Sequence, residues 1–431
     1  MDSMKQTTET SVSKKLTKQE KSWILYDVAN SAFILIITAT IPIYFAQLTS
    51  AAGISEARNT TLWGTTTAIA IFILAILSPI LGALADYEHM KKKIFTFFLG
   101  MGITGGILFI IAPNWLTFLI FFIIARIGYS ACNIFYDSML VDVTTNERMD
   151  VLSSFGYAFG YIGSCIPFIL GILLILFAPI SHGEGMNDRV IEMKLSFVIT
   201  MVWWIVMSIP LLKNVKQNYF LPSQKGIVKH SFIRLGNTFI TIKKDKKLLY
   251  FIIGYFFYID GVYTIISMAT TYGGEVGIDS IAMILALLLT QFVAFPFAIL
   301  SGKLSSKFGT MKMIKFYIIM YAGICIYGYG LNTEMEFWIL AVAVGMCQGG
   351  IQALSRSQFG KLVPKNESSE YFGFFDIFGK FADFFGPLLL AITAFFFHSS
   401  KYGVLSLVIL FIIGFFFLIK SEKYESKEKA V

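Results

Sequence analysis

The sequence predicts an all-α integral membrane protein with twelve transmembrane helices, arranged as two halves of six. Three observations lead to this fold class: the composition, the number of long apolar stretches, and an internal repeat. Of the 431 residues, 56% are hydrophobic and only 14% are charged, and the mean hydropathy is +0.70. A soluble domain carries about 25% charged residues, so we expect the lipid bilayer to be the solvent of this chain.

The apolar stretches are long enough to cross a membrane. A transmembrane helix needs about 20 mostly apolar residues, because its backbone polar groups must bond within the helix. Twelve stretches of the chain meet this requirement. The first, from Trp23 to Leu48, is longer than the roughly 7 to 15 apolar residues of a cleavable signal, so we expect it to remain as a span.

The formal net charge of +8 is explained by membrane orientation and not by nucleic-acid binding. On a twelve-span path, most of the 35 Lys and Arg residues fall on one side of the membrane. Four fall on the other side: Arg58, Arg189, Lys194 and Lys401. Because Lys and Arg are enriched in cytoplasmic loops, we expect a multi-pass protein of the cell membrane with both termini in the cytoplasm.

A basic connection divides the chain. Residues 213–247 carry nine Lys or Arg residues and form a predicted cytoplasmic linker between an N-terminal half, residues 1–212, and a C-terminal half, residues 248–431. Apolar residues recur in this linker at helical spacing: Phe232, Leu235, Phe239 and Ile242. This pattern favours a basic amphipathic helix at the membrane interface, and a flexible linker is the alternative.

The two halves are related by an internal repeat at an offset of 220 residues. Matching pairs occur in the loop after the second span and in the fifth span of each half: Gly82 with Gly302, Lys92 with Lys312, and Pro167 with Pro387. Parallel six-span repeats resemble the major facilitator fold, in which the two halves rock around a central site. We therefore expect that fold.

Polar side chains lie within spans one, four, seven, ten and eleven. A charge at the centre of a span costs about 2.5 to 3.5 kcal/mol, so these residues should face a cavity or each other. The residues predicted to line a substrate or ion pathway are Asp27, Asn30, Arg126, Asn133, Asp137, Asp260, Thr264, Gln348, Gln352, Asp376, Lys380 and Asp383. Arg126 and Asp260 are expected to face one shared central cavity. Hydrogen bonds between helices, or a structural network on span eleven, are the alternatives.

Glycines and charges after the second span of each half predict a cytoplasmic gate. The segment from Gly82 to Asp86, followed by Lys91 and Lys92, resembles the major facilitator loop signature, in which Gly permits close helix approach and Asp closes the inner side. The second copy retains three gate residues: Gly302, Lys307 and Gly309. It has Ser306 in place of the acidic residue, so we expect an asymmetric gate. A tight turn with orienting lysines is the alternative.

The opening of the first span carries a more specific motif. It reads Trp23-Ile-Leu-Tyr26-Asp27-Val-Ala-Asn30, and the seventh span contains Tyr258-Ile-Asp260-Gly261. Both resemble the autophagy-related vacuolar effluxer family, a branch of the major facilitators. The resemblance implies efflux of small amphiphilic solutes, with amino acids proposed for the fungal relatives and lysophospholipids as another proposal.

The leading hypothesis is therefore a secondary active transporter that works by alternating access and exports or exchanges small amphiphilic organic solutes. Amino acids are the leading candidates for the substrate. A lysophospholipid transporter and a non-transporting membrane sensor or scaffold are the alternatives. None of the His residues lies mid-span, so a proton as coupling ion would use Asp carboxylates. HExxH, GxSxG and Walker motifs and clustered His or Cys ligands are not present, which predicts no enzyme, no metal and no cofactor. A monomer is expected.

Overall fold

The chain folds into α-helices that pack against one another in a single bundle. The computed structural model describes residues 15–178, Ile180, 189–397 and 400–428. The helices within these ranges are α1 (Lys18–Ala39), α2 (Ile41–Ala51), α3 (Glu56–Ala85), α4 (Met90–Ile110), α5 (Trp115–Ser138), α6 (Leu140–Val143), α7 (Met149–Phe177), α8 (Val190–Asn214), α9 (Ile227–Lys244), α10 (Lys246–Val276), α11 (Ser280–Phe308), α12 (Thr310–Tyr329), α13 (Glu334–Leu362), α14 (Ser368–Phe397) and α15 (Ser400–Glu428).

The lengths and composition of these helices fit a multi-pass membrane protein. In the described part of the chain, 11 helical segments are long and apolar enough to cross a membrane. Helix α14 is not among these 11 segments, and it carries three charged residues: Asp376, Lys380 and Asp383. Its 30 residues are long enough to cross a membrane, so we count it as the twelfth span. The remaining short helices are α2, α6 and α9.

The first span is two helices and not the single one predicted from Trp23 to Leu48. Helix α1 begins after a capping box, in which Thr17 and Glu20 bond to each other's backbone N–H groups. It ends at Ala39, and α2 begins at Ile41 with a proline in its first turn. Because Pro42 has no N–H to donate to the preceding turn, the regular helix is interrupted at this point.

Buried apolar side chains form two large clusters, one for each set of helices. Trp23, Tyr136 and Trp204 lie in the first cluster, which is built from α1 to α8. Phe251 and Phe359 lie in the second, built mainly from α10 to α15. We call α1 to α8 the N-terminal helices and α10 to α15 the C-terminal helices.

The connection between the two sets contains a helix, so the helical part of the linker prediction is confirmed. Helix α9 packs against α3 and against α10. We call the end of the bundle that carries α9 the linker end, and the opposite end the far end. Leu235 and Ile242 are half-buried and buried, whereas Phe232 and Phe239 are exposed. The predicted apolar stripe therefore divides between a protein-facing and an outward-facing side.

The N-terminal and C-terminal helices are in close contact at the linker end. A Cβ atom on Gly82 of α3 would overlap the Ser369 carbonyl oxygen of α14, and one on Gly302 of α11 would lie 2.7 Å from the Cβ of Ser154 on α7. Glycine at these two repeat-related positions thus permits α3 to pack on α14 and α7 to pack on α11. In this conformation the bundle is closed at its linker end.

Candidate functional site

Arg356, on α13, inserts its guanidinium among the N-terminal helices. Its Nη1 donates to Asp137 Oδ1 at 2.9 Å, its Nη2 to Asp27 Oδ2 at 3.3 Å, and its Nε to Ser153 Oγ at 2.9 Å. The side chains of Arg356 and Asp27 are only 4% and 7% exposed. These four residues, which we call the Arg356 cluster, join one C-terminal helix to α1, α5 and α7.

Aromatic rings enclose the same guanidinium. Its Cζ atom lies 4.7 Å from the ring centre of Trp23, 5.4 Å from that of Tyr136 and 4.4 Å from that of Tyr157. The Tyr136 hydroxyl donates to Asp27 Oδ2 at 2.9 Å. A planar, delocalised cation suits such stacking in a way that a lysine ammonium does not. The arrangement therefore holds one desolvated cation between two carboxylates and three rings.

Sequence reasoning did not select Arg356. It lies six residues before the end of α13, and a basic residue near the end of a span has an ordinary explanation in membrane orientation. A signal was present, because Gln348, Gln352 and Arg356 follow one another at steps of four and share one helical face.

Arg126 lies near the middle of α5, as predicted, and differs from Arg356 in forming no ion pair with a carboxylate of the described residues. Its Nε and Nη1 atoms are buried and have no hydrogen-bond partner among the described residues. The Tyr129 ring lies 5.6 Å from its Cζ. The Oδ1 atoms of Asn30 and Asn133 are also buried without a partner in the described part of the chain. Leaving such a group unsatisfied costs about 1 to 3 kcal/mol, so a bound polar solute would be favoured here.

Asp260 lies in a contact between α10 and α14. Its Oδ1 accepts the Gly386 N–H at 2.8 Å, and the residue is 0% exposed. Gly386 permits this approach, since a Cβ there would overlap Thr264. The expectation that Arg126 and Asp260 face one shared central cavity is therefore wrong in this conformation, because α14 packs directly over the Asp260 carboxylate.

The neighbouring Thr264 lines an apolar cavity among the C-terminal helices. The cavity is bordered by apolar side chains from α10, α11, α13 and α14: Met268, Leu287, Phe337, Leu340 and Leu390. The sequence predicted that Thr264 lines a polar pathway, but the cavity that it borders has an apolar surface.

The described side chains of the predicted pathway on α13 and α14 are buried or half-buried. Gln348 is buried and Gln352 is half-buried. Asp376 accepts from Ser78 Oγ at 2.8 Å, across to α3, and its other oxygen lies 3.2 Å from Lys380 Nζ. Asp376 and Lys380 thus form an ion pair whose side chains are each 17% exposed. Asp383 lies on α14, outside the side chains that the structure describes.

Asp86 connects three elements at the linker end. Its two carboxylate oxygens accept the backbone N–H groups of Ser369, at 2.8 Å, and Glu370, at 3.0 Å, in the first turn of α14. Arg234 of α9 donates to Asp86 at 3.4 Å and also to Glu370. We call Asp86, Arg234 and Glu370 the linker-end cluster. Burial raises the pKa of Asp86 to about 6 and that of Glu370 to about 7.

The lysines of the first gate segment lie close to this cluster. Lys91 Nζ donates to Asp142 Oδ2 at 2.7 Å and to Ser368 Oγ at 3.0 Å, and the Lys91–Asp142 pair is almost fully buried. Lys92 Nζ donates to the Val215 carbonyl at 3.2 Å. The predicted first gate segment therefore joins α4, α6 and α14.

The second copy of the gate is built differently. Lys307 is exposed and lies 5.4 Å from the centre of the Phe308 ring, and Gly309 is the N-cap residue before α12, with a φ of +93°. The contact between helices is made instead by Asp150 of α7, which accepts from Thr310 at 2.7 Å and from Lys361 at 2.6 Å. Asp150 is the repeat equivalent of Glu370, a relationship that sequence reasoning missed.

Comparison with known proteins agrees with this architecture. A profile of the family described as vacuole effluxer Atg22 like matches residues 16–431. The uncharacterized MFS-type transporter YxiO of Bacillus subtilis is 47% identical over 409 residues, which are 93% of this chain and 94% of the relative. Autophagy-related protein 22 of Kluyveromyces lactis is 25% identical over 300 residues, which are 64% of this chain and 58% of the relative.

Solved structures show the same fold. The transporter FucP in its outward conformation superposes with a TM-score of 0.72 at 15% identity, covering 94% of this chain and 97% of FucP. The human organic anion transporter MFSD10 gives a TM-score of 0.67 at 12% identity, covering 93% and 99%. The predicted major facilitator fold is confirmed.

Fold and sequence together define a secondary transporter of the major facilitator superfamily, a multi-pass membrane protein and not an enzyme. Within that superfamily, the chain belongs to the Atg22-like vacuole effluxer family.

Proposed function

We propose that this transporter exports or exchanges small amphiphilic organic solutes that carry a carboxylate, with amino acids as the leading candidates. The observation that supports this most is the guanidinium of Arg126 in the middle of α5, whose Nε and Nη1 atoms are buried and form no ion pair with a carboxylate among the described residues. A solute carboxylate would accept charge-assisted hydrogen bonds from Nε and Nη1. Lys380 and Arg356, the other cations of the proposed pathway, already pair with carboxylates.

Two neutral side chains of the predicted pathway favour a zwitterion over a simple anion. Asn30 and Asn133 each present an amide oxygen without a partner among the described residues. Such oxygens accept hydrogen bonds, and an ammonium group is a donor of three. An α-amino acid brings both a carboxylate for Arg126 and an ammonium for the amides.

Alternating access would proceed by relative motion of residues 1–212 and 248–431. With the linker end and both chain termini in the cytoplasm, the present conformation is the one closed to the cytoplasm. Opening requires Arg356 to leave Asp27 and Asp137, and Asp86 to leave the first turn of α14. Asp137 is the more exposed carboxylate of the Arg356 cluster, at 27%. Protonation of Asp137 would remove one charge that holds Arg356, so a proton is the coupling ion we propose.

A lysophospholipid is the second candidate, and the apolar cavity beside Thr264 favours it. This cavity is lined almost entirely by apolar side chains of α10, α11 and α13. An acyl chain could occupy such a surface, whereas a free amino acid would place at most one apolar side chain there.

Counterflow of labelled leucine and tyrosine into liposomes containing the purified protein tests the proposal. Replacing Arg126 by Gln removes charge-assisted bonds of about 1.5 to 3 kcal/mol, so counterflow should fall by roughly tenfold to a hundredfold. Arg58→Gln, at an exposed position near the far end, is the matched control and should transport normally. Normal counterflow in Arg126→Gln would refute the site. Movement of lysophospholipid without amino-acid counterflow would favour the second candidate.

A further inference from the structure

Helix α9 exposes a row of large apolar side chains although it is not one of the helices that could cross a membrane. Its outward-facing side carries five such residues, each between 50% and 60% exposed: Val228, Phe232, Ile233, Phe239 and Ile240. The opposite side is in contact with the protein through Ser231, Thr238 and Ile242, which are buried. The apolar row is therefore available to a partner outside the transporter.

The charges of α9 indicate what that partner is. Within Ile227–Lys244 the chain has no acidic residue, and its basic residues lie at both ends and in the middle: Lys229, Arg234, Lys243 and Lys244. Further lysines flank the helix at Lys225, Lys246 and Lys247. An apolar face with basic residues around it is the pattern of a helix that lies in the headgroup region of a membrane containing anionic lipid.

The position of α9 brings this face close to the bilayer. The helix packs on α3, whose apolar residues Phe72 and Ile76 are 61% and 55% exposed on the span above it. Exposed apolar side chains on a transmembrane helix face lipid, so α9 lies at the linker end of a helix that borders the membrane.

The protein-facing side of α9 carries the residue that connects this surface to the gate. Arg234 is the member of the linker-end cluster that bonds at once to Asp86, from the N-terminal helices, and to Glu370, from the C-terminal helices. When the linker end opens, these two carboxylates must separate, so Arg234 must release one of them. Anything that holds α9 in place therefore favours the closed conformation.

We propose that α9 docks on an anionic lipid surface and that this docking stabilises the closed linker end through Arg234. The lysines anchor the helix by attraction to lipid phosphates, and the apolar row enters the headgroup region. The effect on transport rests on the proposed alternating access, but the docking itself does not.

Docking is tested on the full chain with fluorescent labels at single introduced cysteines. The native cysteines are all buried, and the unmodified chain serves as the labelling blank. In nanodiscs of phosphatidylcholine with added phosphatidylglycerol, an environment-sensitive dye at Phe239→Cys should shift to the blue and be quenched by spin-labelled lipid. A dye at Asn237→Cys, which is exposed on the polar side of α9, should show neither change.

The control membrane is phosphatidylcholine alone, where the Phe239→Cys signal should be several-fold weaker. The combined variant Lys229→Gln, Lys243→Gln and Lys244→Gln should lose the response to phosphatidylglycerol. Equal signals in both membranes, or equal behaviour of the two labelled positions, would overturn the proposal. A blue shift without quenching by lipid would point to a protein partner and would overturn it as well.

The connection to the gate is tested by alkylation of Ser369→Cys, a position with 0% exposure in the closed conformation. Phosphatidylglycerol should slow its alkylation several-fold, and Arg234→Gln should abolish the difference between membranes. An unchanged lipid effect in Arg234→Gln would overturn the role of Arg234. Failure of amino-acid counterflow with intact lipid effects would refute the proposed function and leave this inference in place.

Discussion

Arg356 Nη1 on α13 lies 2.9 Å from Asp137 Oδ1 on α5, and this ion pair crosses the boundary between the C-terminal and N-terminal helices. The same guanidinium reaches Asp27 on α1. One cation therefore neutralises two carboxylates of the opposite set of helices. On the proposed alternating access, this contact breaks each time the linker end opens.

Arg356→Gln should destabilise the closed linker end and abolish transport. Removing one partner of a buried ion pair typically costs about 3 to 5 kcal/mol, because the remaining charge stays buried without compensation. We expect faster alkylation of Ser369→Cys in this background and no counterflow. Adding Asp27→Asn and Asp137→Asn should restore the alkylation rate without restoring counterflow. Alkylation at the original rate in Arg356→Gln alone would show that the cluster does not hold the closed state.

Gly82→Leu should prevent closure of the linker end. The added side chain would occupy the position of the Ser369 carbonyl, so α3 and α14 could not meet. We expect rapid alkylation of Ser369→Cys and loss of counterflow. Gly100→Leu is the matched control, since a Cβ at Gly100 meets nothing within 4 Å. If Gly82→Leu transports as well as Gly100→Leu, close approach at Gly82 is not required for the cycle.

Lys91→Gln should lower the thermal stability of the protein in detergent. Lys91 and Asp142 are 1% and 0% exposed, so the substitution leaves a buried carboxylate without its cation. We expect a loss of about 3 to 5 kcal/mol, measured as a reduced melting temperature. Lys93→Gln, at an exposed position two residues away, should change stability by less than about 0.5 kcal/mol. Equal melting temperatures for the two variants would contradict the structural role of Lys91.

Lowering the pH should favour the closed linker end. In the closed conformation the pKa of Asp86 is about 6 and that of Glu370 about 7. These values exceed the ordinary ones of about 3.9 and 4.3, to which exposure on opening would return them. The closed state then binds more protons. Its advantage is complete below about pH 4 and is lost as the pH rises through about 6 and 7. Lys91 and Arg234 are the cations that face Asp86, and Arg234 also faces Glu370.

The measurement is alkylation of Ser369→Cys between pH 5 and 8, divided by the rate for the exposed position Ser306→Cys, which corrects for thiol ionisation. The ratio should rise with pH. In Glu370→Gln it should be nearly flat between pH 6 and 8, because the group with the higher pKa is gone. A ratio that falls with rising pH would show that the carboxylates are not the groups that control opening.

The fold and the close helix contact at the first predicted gate segment could be predicted from the sequence, because both depend on local properties of the chain. Apolar stretches of span length give the helices, and the repeat at 220 residues gives the relation between the halves. Gly82 and Asp86 lie four residues apart at the end of α3, so their type and spacing predict a close approach of helices and a closing contact on the inner side. The absence of an acidic residue at Ser306 predicted that the second gate would differ, although not that Asp150 would supply the contact.

The polar contacts inside the bundle could be predicted only in part. Asp27, Asn30, Arg126 and Asn133 were selected because charged and polar residues inside spans are unusual. The same rule selected Asp260 and could not show that α14 covers it. It also passed over Arg356, since a basic residue near a helix end has an ordinary explanation in membrane orientation.

The sequence by itself determined which segments lie in the bilayer and how the chain divides, because hydropathy and repeat spacing are properties of consecutive residues. Only the tertiary structure decided which polar groups meet. Arg356 finds its two carboxylates 219 and 329 residues away along the chain, on helices of the opposite set. A buried charge must be compensated by some partner, but sequence spacing does not say which, because that choice is made by packing between helices.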